Sequence, residues 1–288
     1  MRTQFILVSA FAAIRFAGAA DVGVGVSGDN VTINSHANVG TSASPGDLTV
    51  TGLTGSGVTI PALKVTGDGG FYFPAGSNTT LPPAVSSGSG FFYYPAKSAL
   101  RLGAFYSITN ASVGSNSIAF GGGTASGQQS FSSGGTASGY LSTALGNSTA
   151  SNQYALAVGG YSSASGNTAV AMGYGATASG NYSFSFGGMA LGDNSTAFGG
   201  GTATGVSSVV FGAGSGSYAQ AAYSVVMGRN NVMEGDPATW VTTDPLFVVG
   251  NGTGTSPSLR SNAFVVYKNG DIKIPKAQGD IIMGEFGN

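Results

Sequence analysis

Between Ala111 and Gly228 the chain alternates small and large residues in short bursts, each ending on a glycine. Ser117-Ile118-Ala119-Phe120-Gly121, Ala169-Val170-Ala171-Met172-Gly173, Ser183-Phe184-Ser185-Phe186-Gly187 and Ser195-Thr196-Ala197-Phe198-Gly199 are the clearest copies. A period of two belongs to a strand, whose successive side chains point to opposite faces. The large positions predict one face made of Ile118, Phe120, Phe131, Leu145, Leu156, Val158, Val170, Met172, Phe184, Phe186, Phe198, Val209, Phe211, Val225 and Met227, with Ser133, Thr143 and Thr196 as the exceptions. Their apolar character assigns them to the core. The small positions, Ser and Ala with Val210 and Val226 late in the series, predict a second face that another backbone can approach closely.

The closing glycines are Gly121, Gly134, Gly146, Gly159, Gly173, Gly187, Gly199, Gly212 and Gly228, spaced 13, 12, 13, 14, 14, 12, 13 and 16 residues apart. Each is expected either to take a positive φ or to lie where a Cβ has no room. Half a lap later comes a second punctuation: Thr124 to Gly127, Thr136 to Gly139, Thr177 to Gly180 and Thr202 to Gly205. A lap of this length holds two short strands and two turns, too little for a strand with a packed helix but enough for one turn of a flat solenoid. Stacked laps predict an all-β fold, a parallel β-roll of about nine coils and about 40 Å long at a strand spacing near 4.8 Å. Burying this one face falls well short of the cost of ordering the backbone, so ladder hydrogen bonds, the other strand row and neighbouring chains are expected to supply the rest.

The phrase of small residue, large residue, alanine, large residue and glycine, with intervening Ala-Ser-Gly-Asn as at Ala178 to Asn181, resembles the YadA-like head repeat of trimeric autotransporter adhesins and related bacterial and phage fibre proteins. The resemblance implies a left-handed roll, a homotrimer, and a structural or adhesive role at a bacterial surface in which the chain is its own partner. A matrix protein or glycan on a host or environmental surface is the implied external ligand. A phage-type tail or appendage fibre is the alternative that the flanking segments admit. The aromatic phrases Gly70 to Ala75 and Gly90 to Ala96, the second continuing through Lys97 and Arg101 to Gly103, resemble the segment that precedes such repeats.

Four regions follow from composition. Residues 1–20 read as a secretory signal peptide: Arg2, an apolar run from Phe5 to Ile14, then Ala17-Gly18-Ala19-Ala20 before Asp21. Ten apolar residues are too few to span a bilayer. Residues 21–110 form an N-terminal region of short β-branched runs, 111–228 the repeats, and 229–288 a connector with a β-hairpin at Asn269-Gly270. The tail shows neither heptads nor barrel strands, so a secreted or cell-surface location is expected and outer-membrane anchoring is in doubt.

Chemistry is sparse. Only 7% of the residues are charged, and Asp193 is the sole charge between Ala111 and Gly228, which leaves no electrostatic footprint for nucleic acid on the repeats. The absence of cysteine excludes disulfides and thiolate metal sites. The single histidine, His36, lies in a run of Asn, Ser and Gly and reads as a surface residue. Asp236 and Asp244 flank Trp240 in a Pro-bounded connector and are the nearest approach to a carboxylate pair. Glycine triplets such as Gly121 to Gly123 lack the following Lys-Ser/Thr of a phosphate loop, and the repeat turns carry no aspartate series for calcium. No catalytic residue, cofactor site or metal site is therefore expected, and the chain is read as a non-enzyme. An ice- or crystal-surface binder is a third reading. It would need a flat Thr row, and Thr124, Thr136, Thr177 and Thr202 are interrupted by Met189 and Tyr218. Lys97 and Arg101 are spaced like a small anion site, although a solvated strand edge explains them as well.

Overall fold

The computed structural model describes residues 40–41, 44–45, 48–53, 59–65, 71–72, 88–94, 97–105, 108–212, 214 and 216–275. The signal-peptide reading and His36 lie outside these residues. The chain divides into two compact units, residues 1–48 with 65–70 and residues 49–64 with 71–288. In the first unit Gly40–Thr41 pairs antiparallel with Ser44–Pro45. Leu48–Leu53, Thr59–Val65 and Phe71–Tyr72 form a three-stranded sheet.

The second unit carries the roll. Nine strands stack in parallel as one row: Ile118–Phe120, Phe131–Ser133, Thr143–Leu145, Leu156–Val158, Val170–Met172, Phe184–Phe186, Thr196–Phe198, Val209–Gly212 and Val225–Arg229. Eight two-residue strands, from Thr124–Ala125 to Tyr218–Ala219, stack in parallel as the second row. Among the described residues there is no α-helix, and Pro257–Leu259 forms a three-residue 3-10 turn. This is the parallel β-solenoid of about nine laps that the glycine spacing predicts.

The interior of the roll is the reverse of the expectation. Ala119, Ser132, Ala144, Ala157, Ala171, Ser185, Ala197, Val210 and Val226 are buried, and so are Ala125, Ala137, Ala150, Ala164, Ala178, Ala190, Ala203 and Ala219 facing them from the second row. Ile118, Phe120, Phe131, Leu145, Leu156, Val158, Val170, Met172, Phe184, Phe186, Phe198, Val209, Phe211, Val225 and Met227, the residues expected to form the core, point outward and are half-buried to exposed. The reason is the length of the lap. A chain that returns on itself in about thirteen residues brings its two rows so close that only Cβ-sized side chains fit between them. A Cβ added at Gly135 would lie 3.1 Å from Ala144 Cβ, and one added at Gly188 would lie 3.1 Å from Ala197 Cβ. Where the interior widens to Val210, its neighbour Gly201 has no side chain, and a Cβ there would meet Val210 Cγ2 at 2.7 Å.

Most interior serines satisfy their hydroxyls locally; those of Ser183 and Ser195 are buried without a partner. Ser117, Ser130, Ser142 and Ser208 each donate to the carbonyl three residues back, on Gly114, Gly127, Gly139 and Gly205, at 2.6 to 2.8 Å. Buried hydroxyls therefore cost little, and Ser can alternate with Ala at these positions.

The two sets of glycines serve different needs. Eight of the nine closing glycines have positive φ, for example Gly187 at 73°; Gly212 does not, and it is required for space instead, since its Cβ would sit 2.8 Å from Gly201 Cα. The glycines of the second punctuation are steric throughout. A Cβ at Gly180 would lie 1.9 Å from the Gly192 carbonyl oxygen of the next lap. A third corner, silent in the sequence, holds non-glycine residues in the left-handed region in every lap: Gln129, Leu141, Tyr154, Thr168, Tyr182, Asn194, Ser207 and Tyr223, with φ of 52° to 60°.

Candidate binding surfaces

Two outward faces and two ends are available for recognition. The first face is the row of large residues. Strand register stacks them into two columns, one interrupted by Thr143 and Thr196 and the other by Ser133, which Ala99–Phe105 extends at one end through Leu100 and Leu102 and Pro245–Asn251 at the other through Phe247 and Val249. Phe120 contacts Phe131 edge to face at 5.7 Å, and Phe198 stacks on Phe211 at 5.1 Å and 2°. Phe186 is 53% exposed and Phe211, Met227 and Leu102 over 40%. A monomer that leaves so long an apolar face in water carries an interaction surface.

The second face is polar and uncharged. Thr124, Thr136, Thr149, Ser163 and Thr177 lie in continuous register on five successive laps. Thr149 and Ser163 fill the gap that the sequence reading left in this row, which then breaks at Met189. Ser138, Ser151, Ser165 and Ser179, two residues further along each lap, are also exposed. An amide series flanks the row: Asn181 Oδ1 accepts from Asn167 N–H at 3.1 Å, and Asp193 Oδ1 accepts from Asn181 N–H at 2.8 Å and from Asn181 Nδ2 at 3.2 Å. The lone charge of the repeats is thus tied into a side-chain ladder.

At the N-terminal end, Gly88–Tyr94 pairs antiparallel with Ala99–Phe105, which lies parallel on the first lap. Tyr94, Ala99, Ile108 and Val113 cluster there, with Phe92 against them. These aromatics cap the roll. Arg101 is buried and takes part in neither an anion site nor a solvated edge. Its Nη1 donates to the carbonyls of Leu100 at 2.8 Å and Ser117 at 3.3 Å, and its Nη2 to Ser112 O at 3.3 Å, Ser117 Oγ at 3.0 Å and Ala125 O at 2.7 Å. Lacking a carboxylate among these partners, it is held by burial below its ordinary pKa, at about 10, with Tyr94 acting in the opposite sense. Lys97 Nζ donates to the carbonyls of Asn110, at 2.6 Å, and Val113, and its pKa is lowered by burial and by Arg101. Both cations tie carbonyls together at the mouth of the roll, and those of Ser117 and Ala125 also accept from the backbone N–H groups of Leu100 and Gly114. A cavity of about 230 Å³ beside Arg101 is lined by Leu102, Ile108, Phe120 and Thr124, which is small for a ligand pocket.

At the C-terminal end a side chain replaces a strand. Asn231 Oδ1 accepts from Tyr218 N–H at 2.8 Å while its Nδ2 donates to Tyr218 O at 2.8 Å, so one buried amide satisfies both groups of the last short strand. Arg260 packs 5.0 Å over the Tyr218 ring and donates to Gly216 O at 2.8 Å and Asn231 O at 3.0 Å. Asp236 and Asp244 come together, but as turn formers. Asp244 Oδ2 accepts the Asp236 backbone N–H at 2.8 Å and lies 3.7 Å from Lys268 Nζ, which sits 5.0 Å over the Trp240 ring. Asp236 Oδ1 accepts from the N–H groups of Ala238 and Thr239, which lowers its pKa. The hairpin expected at Asn269-Gly270 is present, with Val266 opposite Ile272 and Gly270 at φ 93°. Among the described residues no group of three His, Cys, Asp or Glu is placed to hold a metal ion, and no helix is long and apolar enough to cross a membrane.

The model of the YadA head domain repeat matches residues 137–162, 164–188 and 189–202. No curated protein matches the chain. The matched residues are laps of the roll whose Ala and Ser interior and outward apolar columns have just been described. Over residues 137–202 the laps of the solenoid are thus similar to the YadA head domain repeat.

Proposed function

We propose that this protein is a non-enzymatic, extracellular, homotrimeric fibre head that adheres to surfaces through its repetitive exterior. The outward apolar columns from Leu100 to Val249 support this reading most directly. An uncharged face of this length suits an obligate interface between copies, and the resemblance to the head repeat of trimeric adhesins supports three of them. Each protomer closes its own narrow Ala and Ser interior, and assembly then buries the large residues that the lap has no room to hold. Adhesion follows from multivalency: three parallel copies multiply weak surface contacts without any single deep pocket.

Sedimentation equilibrium of the full chain tests the proposal. Three protomers at micromolar concentration are expected, and Phe186→Ser with Phe198→Ser should shift the chain toward monomer with its strand signature retained. A wild-type monomer would sink the reading. A trimer untouched by both substitutions would place the interface elsewhere. Adhesion is then measured on surfaces coated with matrix protein or glycan.

A further inference from the structure

We infer that the flat hydroxyl face over the laps from Thr136 to Thr177, together with the tyrosines at its two edges, is a platform for a neutral polysaccharide chain. The inference deepens the adhesive reading by naming the class of ligand, and it rests on that reading.

Its first support is where the tyrosines sit. Tyr154 and Tyr182 follow the short strands by four residues, while Tyr161 and Tyr174 precede them by two and three, so the two pairs mark opposite edges of the second row. Tyr161, Tyr174 and Tyr182 are 66%, 78% and 64% exposed. The fold does not ask for aromatics at these corners. The left-handed corner of Tyr154 and Tyr182 holds Gln129, Asn194 and Ser207 in other laps, beside Leu141, Thr168 and Tyr223, so an aromatic is not required there, and bulky residues are the ones that conformation least favours. On the other edge, where Tyr161 also has positive φ at 58°, the laps at Gly121 and Gly199 carry only glycines. At Tyr154, Tyr161 and Tyr182 the aromatic is placed against local preference and stays half or more exposed.

The second support is what lies between the edges. Hydroxyls of Thr136, Thr149, Ser163 and Thr177 repeat at the strand spacing of about 4.8 Å, in register. From lap to lap Tyr161 meets Tyr174 at 5.5 Å and 79°, and Tyr140 meets Tyr154 at 5.7 Å and 80°. A sugar ring offers an apolar C–H face that stacks on an aromatic ring and hydroxyls that exchange hydrogen bonds with Ser, Thr and Asn. A polymer of such units meets the same pair of contacts at successive laps. No charged residue lies between Thr136 and Tyr182, so an anionic or cationic polymer gains nothing from this face. A protein partner would want an apolar centre with a polar rim, and here the centre is polar and the edges aromatic.

The test uses the full chain in affinity electrophoresis against three soluble neutral polymers (a β-glucan, a galactomannan and a chitin oligomer), with alginate as the anionic control. Tyr154→Asn with Tyr182→Asn, and Tyr161→Asn with Tyr174→Asn, remove one edge each while keeping a residue that tolerates positive φ. Retardation by at least one neutral polymer, none by alginate, and at least about a fivefold loss in each double variant with unchanged sedimentation are expected. Equal retardation by alginate, no retardation by any neutral polymer, or full binding in both double variants would overturn the proposal. So would inhibition of ice recrystallisation without glycan binding, which would assign the hydroxyl row to ice. A trimer that adheres to matrix protein but ignores all three polymers removes the polysaccharide reading alone; a monomer that still binds them removes the trimeric head and leaves the platform standing.

Discussion

Ala171→Leu separates the two possible orientations of the roll. Ala171 sits inside the lap, fully buried among Ala164, Ala169, Ala176 and Ala178. The clearance there can be read from neighbouring laps, where a single added Cβ already comes to 3.1 Å from the facing alanine methyl. Leucine adds three heavy atoms to the methyl, and the facing atoms are strand backbone that cannot rotate aside. Overpacking of a close-packed site costs about 1 to 3 kcal/mol, and the rigid surroundings put this substitution at the upper end. At about 2 to 4 °C per kcal/mol for a chain of this size, the melting temperature should fall by about 6 to 12 °C. Phe186→Ser is the counterpart. Its ring is half in solvent within one protomer, so the protomer itself loses only about 1 kcal/mol of apolar burial, whereas the proposed trimer would lose an interface residue. The pair is measured by circular-dichroism melting together with sedimentation. If Ala171→Leu melts within about 2 °C of wild type while Phe186→Ser unfolds the isolated protomer, the inside and outside of the roll have been assigned the wrong way round.

Further outcomes follow from the corners and ends. Gly180→Ala should disrupt the stack, because its Cβ would overlap the next lap's carbonyl oxygen, whereas Gly187→Ala, which meets only positive φ and open space, should cost about 1 to 2 kcal/mol in melting experiments. Thr168→Asn should stabilise the roll by a few tenths of a kcal/mol to about 1 kcal/mol, since a β-branched residue at φ 55° is replaced by one that tolerates it. Arg101→Met should remove the charged donor that ties Ser117 and Ala125 together, whose carbonyls keep one backbone N–H each from Leu100 and Gly114, at a cost of about 1 to 3 kcal/mol, and hydrogen exchange should speed up over the first lap while the laps around Ala171 stay protected. Glu234 gives a pH signature: burial raises its carboxyl pKa, with Lys273 opposing and Asp244 reinforcing. Because the folded value lies above the unfolded one, its contribution to stability is present below the ordinary carboxylate value and is lost as pH rises through the raised value; Glu234→Gln should flatten that part of the melting profile.

Much of the architecture is written in local pattern. Glycine spacing sets the lap length, and a lap of 12 to 16 residues admits only two short strands and two turns. The alternation through Val170-Ala171-Met172 and Phe184-Ser185-Phe186 shows that two faces exist, and Asn269-Gly270 fixes a hairpin, because each of these constraints acts within a few residues along the chain. Alternation is symmetric, however, and cannot say which face is inside. That depends on how close the second row comes to the first, a distance set across the lap by contacts such as Gly188 against Ala197, and it turned the expected core outward. The left-handed corners at Thr168 and Tyr182 left no sequence signal for the same reason: stacking on neighbouring laps imposes their backbone against local preference. The buried Arg101 and the strand-replacing Asn231 are ordinary polar residues in sequence. Only closure of the roll brought the Ser117 and Ala125 carbonyls within reach of Arg101, and to Asn231 the Tyr218 N–H and carbonyl that would otherwise be orphaned, and only the stacking of laps aligned Thr149 and Ser163 with Thr136 and Thr177 into one continuous row of hydroxyls.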